Sequence, residues 1–104
     1  MRDRRTNELL AAPAYSPAEA ARILSVNYTT LMYWIVGRGR QSPLITLAST
    51  IPPELSFMNL LECHALKALT ARYKLRMQKV RNGLETLKKK FRSEHPLLDR
   101  RFRT

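Results

Sequence analysis

The sequence predicts a mainly α-helical chain: a winged helix-turn-helix, then an amphipathic helical hairpin, with a short β wing between them. Three observations lead there. Apolar residues recur at three- and four-residue spacing in four separate stretches, the pattern of helices that bury one face. Ser16, Asn27 and Ser56 stand where helix caps belong, each just ahead of such a stretch. One run alone, Pro43 to Ala48, has the β-branched content of a strand, and it follows Gly37 and Gly39.

Taken in order, residues 1–14 read as an N-terminal arm, loose or no more than a single helical turn, ending at Pro13. Residues 15–53 read as the winged helix-turn-helix. In "YSPAEAARIL" Ser16 caps, Pro17 takes the first helical position, Glu19 completes a capping box, and Ala20, Ala21 and Leu24 face inward. That helix is expected to stop near Ser25. Asn27 then caps a second helix whose Leu31, Trp34 and Ile35 share one face, with Trp34 in the core. Two helices joined by so short a turn form a helix-turn-helix. "PLITLA" is expected to fold back as the wing.

Residues 54–92 read as a basic helical hairpin packed on the first unit. Behind Ser56, an inward stripe of Phe57, Leu60, Leu61, Ala65, Ala68 and Leu69 is expected, with His64 on the same face as a packing histidine. The second helix carries a narrow seam of Met77, Val80, Leu84, Leu87 and Phe91. Gly83 within it costs roughly 1 kcal/mol against alanine, so that helix must draw stability from packing. The seam is expected to pair with the preceding helix, the alternative being another chain. Residues 93–104 read as an extended surface tail beyond the breaker Pro96.

Charge narrows the function. The 104 residues hold 19 Lys and Arg against 8 Asp and Glu, a net +11 with a pI near 10.7. Residues 56–104 hold 13 of the bases and only 4 of the acids. Between Arg72 and Arg92 nine bases face the single acid Glu85, so most lack an intrachain partner. A solvated face usually intersperses both signs, whereas unbalanced positives repel one another until a polyanion relieves them. Nucleic acid is the first partner to expect, although membrane surfaces, ribosomal assemblies and acidic proteins also attract such charge.

Other classes find less support. Cys63 is the only cysteine, which rules out an intrachain disulfide, and no signal segment or apolar run of membrane-spanning length stands out. A cytoplasmic protein without a membrane role is expected. Cys63 and His64 resemble half a metal site, but neighbours on a helix diverge by about 100° and no second pair accompanies them, so zinc is not expected. Without paired carboxylates, a nucleophile with its base or a phosphate-cradling glycine loop, neither catalysis nor a cofactor is expected.

The residues also suggest a family. "YSPAEAARILSVNYTTLMYWIVG" resembles the first helix-turn-helix of MerR-like regulators: aromatic start, acid-alanine helix, valine turn and Thr-Leu recognition helix. "LSFMNLLECHALKALTARYKLRMQKVRNGLETLKKKF", followed by "SEHPLLDRRFRT", resembles the DNA-binding half of VapB-type antitoxins, and the likeness covers Tyr15 to Thr104. The resemblance implies a DNA-binding antitoxin of a bacterial type II toxin-antitoxin system. Such a protein represses its own operon and pairs with a PIN-type ribonuclease toxin, as a homodimer or within the toxin-antitoxin complex. Family members usually run on well past this stretch, so a short member or a fragment lacking the toxin-binding region is expected. Ser25 replaces a usual glycine of the turn, Met32 and Tyr33 replace usual arginines, and Lys74 and Arg76 stand where glycine and a capping serine are usual.

The expected double-stranded DNA contacts follow. Tyr28, Thr29 and Thr30 occupy the first turn of the recognition helix, with Tyr33 one turn further in place of an arginine. Arg38 and Arg40 flank Gly39 at a wing tip that reaches a minor groove, or else form a solvated loop. Arg76, Lys79, Lys88, Lys89 and Lys90 supply phosphate attraction from the hairpin. Two other readings stay open: a protein-interaction module whose basic hairpin neutralises an acidic partner, and an excisionase-like architectural protein that bends DNA.

Overall fold

A computed structural model describes residues 4–72 and 76–98. The chain is mainly helical: α1 (Arg4–Ala11), α2 (Pro17–Leu24), α3 (Tyr28–Ile35), strands β1 (Ser49–Thr50) and β2 (Pro53–Glu54), α4 (Phe57–Arg72), α5 (Met77–Phe91) and a 3-10 turn at Pro96–Leu98. One hydrophobic cluster runs from Ala20 and Leu24 of α2 through Leu31, Trp34 and Ile35 of α3 to Leu66, Val80, Leu84 and Leu97.

The caps form as the sequence leads one to expect. Ser16 Oγ accepts from the Glu19 N–H at 3.1 Å, and Glu19 Oε1 accepts from the Ser16 N–H at 2.9 Å. Those bonds from Ser16, backbone first, hold the Glu19 carboxyl below its ordinary value. Asn27 Oδ1 accepts from the Thr29 N–H at 2.9 Å and starts α3. Between the two helices Ser25 adopts the left-handed conformation, φ 54°, ψ 48°. A glycine would hold that conformation without a Cβ penalty. Lys67 of α4 reaches across to donate to the Leu24 carbonyl at 2.7 Å, placing a cation at the end of α2.

Several elements depart from expectation. The N-terminal arm is an eight-residue helix packed on α4, and the chain after it is fastened by a bridge in which Tyr15 and Leu55 exchange hydrogen bonds at 2.9 and 2.8 Å. Pro43 to Ala48 forms no strand: Leu44 and Ile45 plug the core, and both backbone N–H groups donate to the Trp34 carbonyl, at 2.8 and 3.2 Å. The antiparallel ribbon lies one step later, Ser49 opposite Glu54 and Thr50 opposite Pro53.

The inward face of α4 is also rotated from the expected stripe. Asn59, Leu60, Glu62, Cys63 and Leu66 are buried, whereas Phe57, Leu61, His64 and Ala68 are exposed. A polar network causes the rotation. Asn59 and Ser56 bond reciprocally at 3.0 Å to start the helix, and Asn59 Oδ1 also accepts from the Ala48 N–H at 3.1 Å. Its Nδ2 donates to the Thr46 carbonyl and to Glu62 Oε1, both at 2.9 Å. His95 Nδ1 lies 3.0 Å from that same carboxylate oxygen. Asn59 and Glu62 are thus buried with hydrogen-bond partners, which offsets the cost of taking polar groups out of water.

This ion pair brings the C-terminal segment inward. Residues 93–98 are no surface tail: Pro96 and Leu97 are buried, and their turn packs on both α4 and α5. Residues 99–104, assigned to the same tail, lie outside the described residues, as does Lys74. The α5 seam turns inward, with Val80 and Leu84 buried and Met77, Leu87 and Phe91 half-buried, but the expected direct pairing with α4 is replaced: among the described residues α4 and α5 both pack on the Pro96–Leu98 turn, which stands between them.

Candidate nucleic-acid interface

The first turn of α3 faces solvent. Tyr28, Thr29 and Thr30 are exposed, while Leu31, Trp34 and Ile35 anchor the opposite face in the core. Immediately after α3, Gly37 (φ 93°) and Gly39 (φ 57°) turn the chain tightly. The Arg38 N–H donates to the Gln41 carbonyl at 3.0 Å and the Gln41 N–H to the Arg38 carbonyl at 2.9 Å. Gly37 has no substitute there, because a Cβ would run into the Gln41 carbonyl oxygen. This turn, not the β ribbon, carries exposed Arg38 and Arg40.

Thr29, Thr30, Tyr33, Trp34, Arg38 and Met77 line one cleft. The fold thereby brings the first turn of α3, the arginine turn and the start of α5 to one side of the molecule. Arg76, directly before Met77, is exposed and caps α5 without a side-chain hydrogen bond.

Arg81 fastens this arrangement. Its Nη1 donates to the Ser42 carbonyl at 2.6 Å and its Nη2 to the Tyr33 hydroxyl at 3.2 Å, and the guanidinium lies 5.8 Å from the Tyr33 ring centre. The Tyr33 hydroxyl in turn donates to Gln41 Oε1 at 2.6 Å. Tyr33 is therefore half-buried with its hydroxyl engaged inside the protein, rather than standing free in place of a lost arginine. Arg81 was indistinguishable from its neighbours in the basic run, since nothing local in the sequence marks the contact with Tyr33 and Ser42.

The remaining cations divide around α5. Lys88 is half-buried and lines a second cleft with Glu85, Ile35, Ser42 and Thr46, on the α3 side. Lys79 lies on the other flank, beside Gly83 and Leu87, and Lys90 follows it at i+11. Lys89 is exposed between these flanks. All three lysines of the last turn sit where the negative end of the helix dipole favours cations. Thr29, Thr30 and Arg38 thus share one cleft with Met77, whereas Lys88 and Lys79 each line a different one; exposed Tyr28, Arg40 and Arg76 neighbour the first cleft's residues in sequence.

Cys63 is buried, and burial first, then the neighbouring Glu62 charge, pushes its thiol up to about 12. Among the described residues no three His, Cys, Asp or Glu side chains gather closely enough to hold a metal, and no helix is long and apolar enough to cross a membrane. No family model matches the chain, and no curated protein or solved structure matches it significantly.

Proposed function

We propose that this chain binds double-stranded DNA as a helix-turn-helix protein, with α3 as its recognition helix and its own promoter region as target. The observation that carries the reading is the shared cleft: Thr29 and Thr30, Arg38 and the start of α5 converge on one exposed side. A helix start offers hydroxyls and backbone amides to phosphate and base edges, and the arginine turn adds a bidentate cation beside it. The strong positive field of the second half of the chain supplies attraction that does not depend on sequence.

The likeness of Tyr15 to Thr104 to VapB-type antitoxins adds the biological setting: a repressor of a toxin-antitoxin operon whose partner is a PIN-type ribonuclease. This setting rests on the resemblance, and the DNA-binding reading rests on the cleft and the charge. The turn carrying Arg38 and Arg40 takes the place of a winged tip.

A fluorescence-anisotropy titration with the chain's own upstream DNA and a scrambled duplex tests the reading. Binding is expected to favour the upstream DNA, and Thr30→Val or Arg38→Gln is expected to narrow that preference by about 1–3 kcal/mol. Equal affinity for both duplexes removes the sequence-reading role. Co-purification of a ribonuclease with no duplex binding at all points instead to the acidic-partner role.

A further inference from the structure

Trp34 carries a donor that the fold does not use. The residue is 2% exposed, and its indole N–H has no hydrogen-bond partner. Buried donors are almost always paired, because one without an acceptor loses its water partner with no replacement. Packing does not explain the exception, since an aromatic ring without nitrogen fills a core with no polar atom to bury. Trp34 lines the cleft beside the first turn of α3, together with Thr29, Thr30, Tyr33, Arg38 and Met77. The side chains of Thr29, Thr30 and Arg38 are exposed and make no hydrogen bond to any described residue, whereas the Tyr33 hydroxyl is held by Gln41 and Arg81. No carboxylate lines the cleft among the described residues. Two hydroxyls, a guanidinium and an indole N–H with no acid among them select an anion whose oxygens accept from several directions.

We infer that Trp34 donates its indole N–H to a backbone phosphate of the bound duplex, in a seat completed by Arg38 and the Thr29 and Thr30 hydroxyls. The inference rests on the DNA-binding reading and gives that cleft its occupant, a phosphodiester met by a neutral donor at the floor and by a cation at the rim. The N–H is covered in the free protein, so binding includes a shift of the side chains around it. Half-buried Met77 and exposed Arg38, both long and flexible, are the lining residues that give way.

Trp34 is the single tryptophan of the chain, so its indole proton gives one resonance in a nitrogen-proton correlation spectrum. Saturating upstream duplex is expected to move that resonance downfield and to slow its exchange with water. A scrambled duplex at saturation is expected to do the same, because a phosphate contact carries no sequence. Trp34→Phe keeps an aromatic ring and removes the donor. It is expected to weaken both duplexes about tenfold while the slope of log affinity against log salt stays unchanged, since the group lost is neutral. A resonance unmoved by a duplex that binds, or a folded Trp34→Phe protein with unchanged affinity, overturns the inference and leaves the DNA-binding reading standing. Absence of binding to either duplex removes both. If circular dichroism shows that Trp34→Phe has lost its helices, the resonance of the unaltered protein decides. A resonance that moves with inorganic phosphate but with neither duplex assigns the cleft to a small phosphorylated ligand and overturns the inference as well.

Discussion

Replacing His95 by glutamine separates the polar clasp from the hydrophobic core around it. His95 Nδ1 stands 3.0 Å from Glu62 Oε1, and the Glu62 side chain is only 2% exposed. Without the imidazole that carboxylate keeps Asn59 Nδ2 but loses its ion-pair partner, for which removal of one member of a buried pair suggests about 2–3 kcal/mol when His95 is protonated. His95 is 31% exposed, so solvent screening lowers the expectation to about 1–2 kcal/mol. For a chain of this size that is a loss of roughly 10 °C in the thermal midpoint. The effect depends on pH with a defined sign. The Glu62 hydrogen bond raises the His95 pKa above its ordinary value; Glu94 adds to the rise, while burial and Lys88 oppose it. The clasp's contribution is therefore complete below about pH 6.5 and is lost as pH rises through the raised folded value. Urea denaturation of both proteins from pH 6 to pH 9 should show a stability difference that shrinks with rising pH. A difference that is constant, or that grows with pH, refutes the reasoning.

Ser25→Gly relieves a left-handed residue of its Cβ and is expected to raise stability by up to about 1 kcal/mol, seen as a higher thermal midpoint. Gly37→Ala combines φ 93° with a collision at the Gln41 carbonyl and is expected to cost about 2–3 kcal/mol; Gly39→Ala, whose Cβ meets nothing, should cost about 1 kcal/mol by the same denaturation assay. Cys63, buried and with its thiol pushed up to about 12, should react with iodoacetamide at neutral pH only at the rate of unfolding, and rapid labelling of the folded protein would contradict its placement.

Where local chemistry decides, the sequence was readable. Ser16 and Asn27 cap by contacts two or three residues away, and the α5 seam follows from its own periodicity. Long-range partners were not readable. Asn59 and Glu62 look like surface positions until Thr46, Ala48 and His95 arrive to satisfy them, and that arrival turns Phe57, Leu61 and His64 outward. Leu44 and Ile45 have strand-forming composition, yet burial against Trp34 outweighs a two-residue gain in pairing. Pro96 looks like a breaker in the sequence, yet α5 already ends at the left-handed Arg92 and Pro96 opens the 3-10 turn whose Leu97 packs beside α4 and α5. At the candidate interface, the first turn of α3 was legible from its cap. The commitment of Tyr33 and Arg81 to each other was not, because neither residue signals it locally.

One duplex is proposed to meet the first turn of α3 and the α3-facing flank of α5 together. The salt dependence of duplex affinity in single charge-neutralised variants tests it most directly. Arg76→Gln and Lys88→Gln are each expected to flatten the slope of log affinity against log salt by about 0.9, the signature of one lost phosphate contact. Lys79→Gln and Lys90→Gln, on the far flank, are expected to leave it unchanged. Equal flattening by all four, or flattening by the far pair alone, would contradict the account.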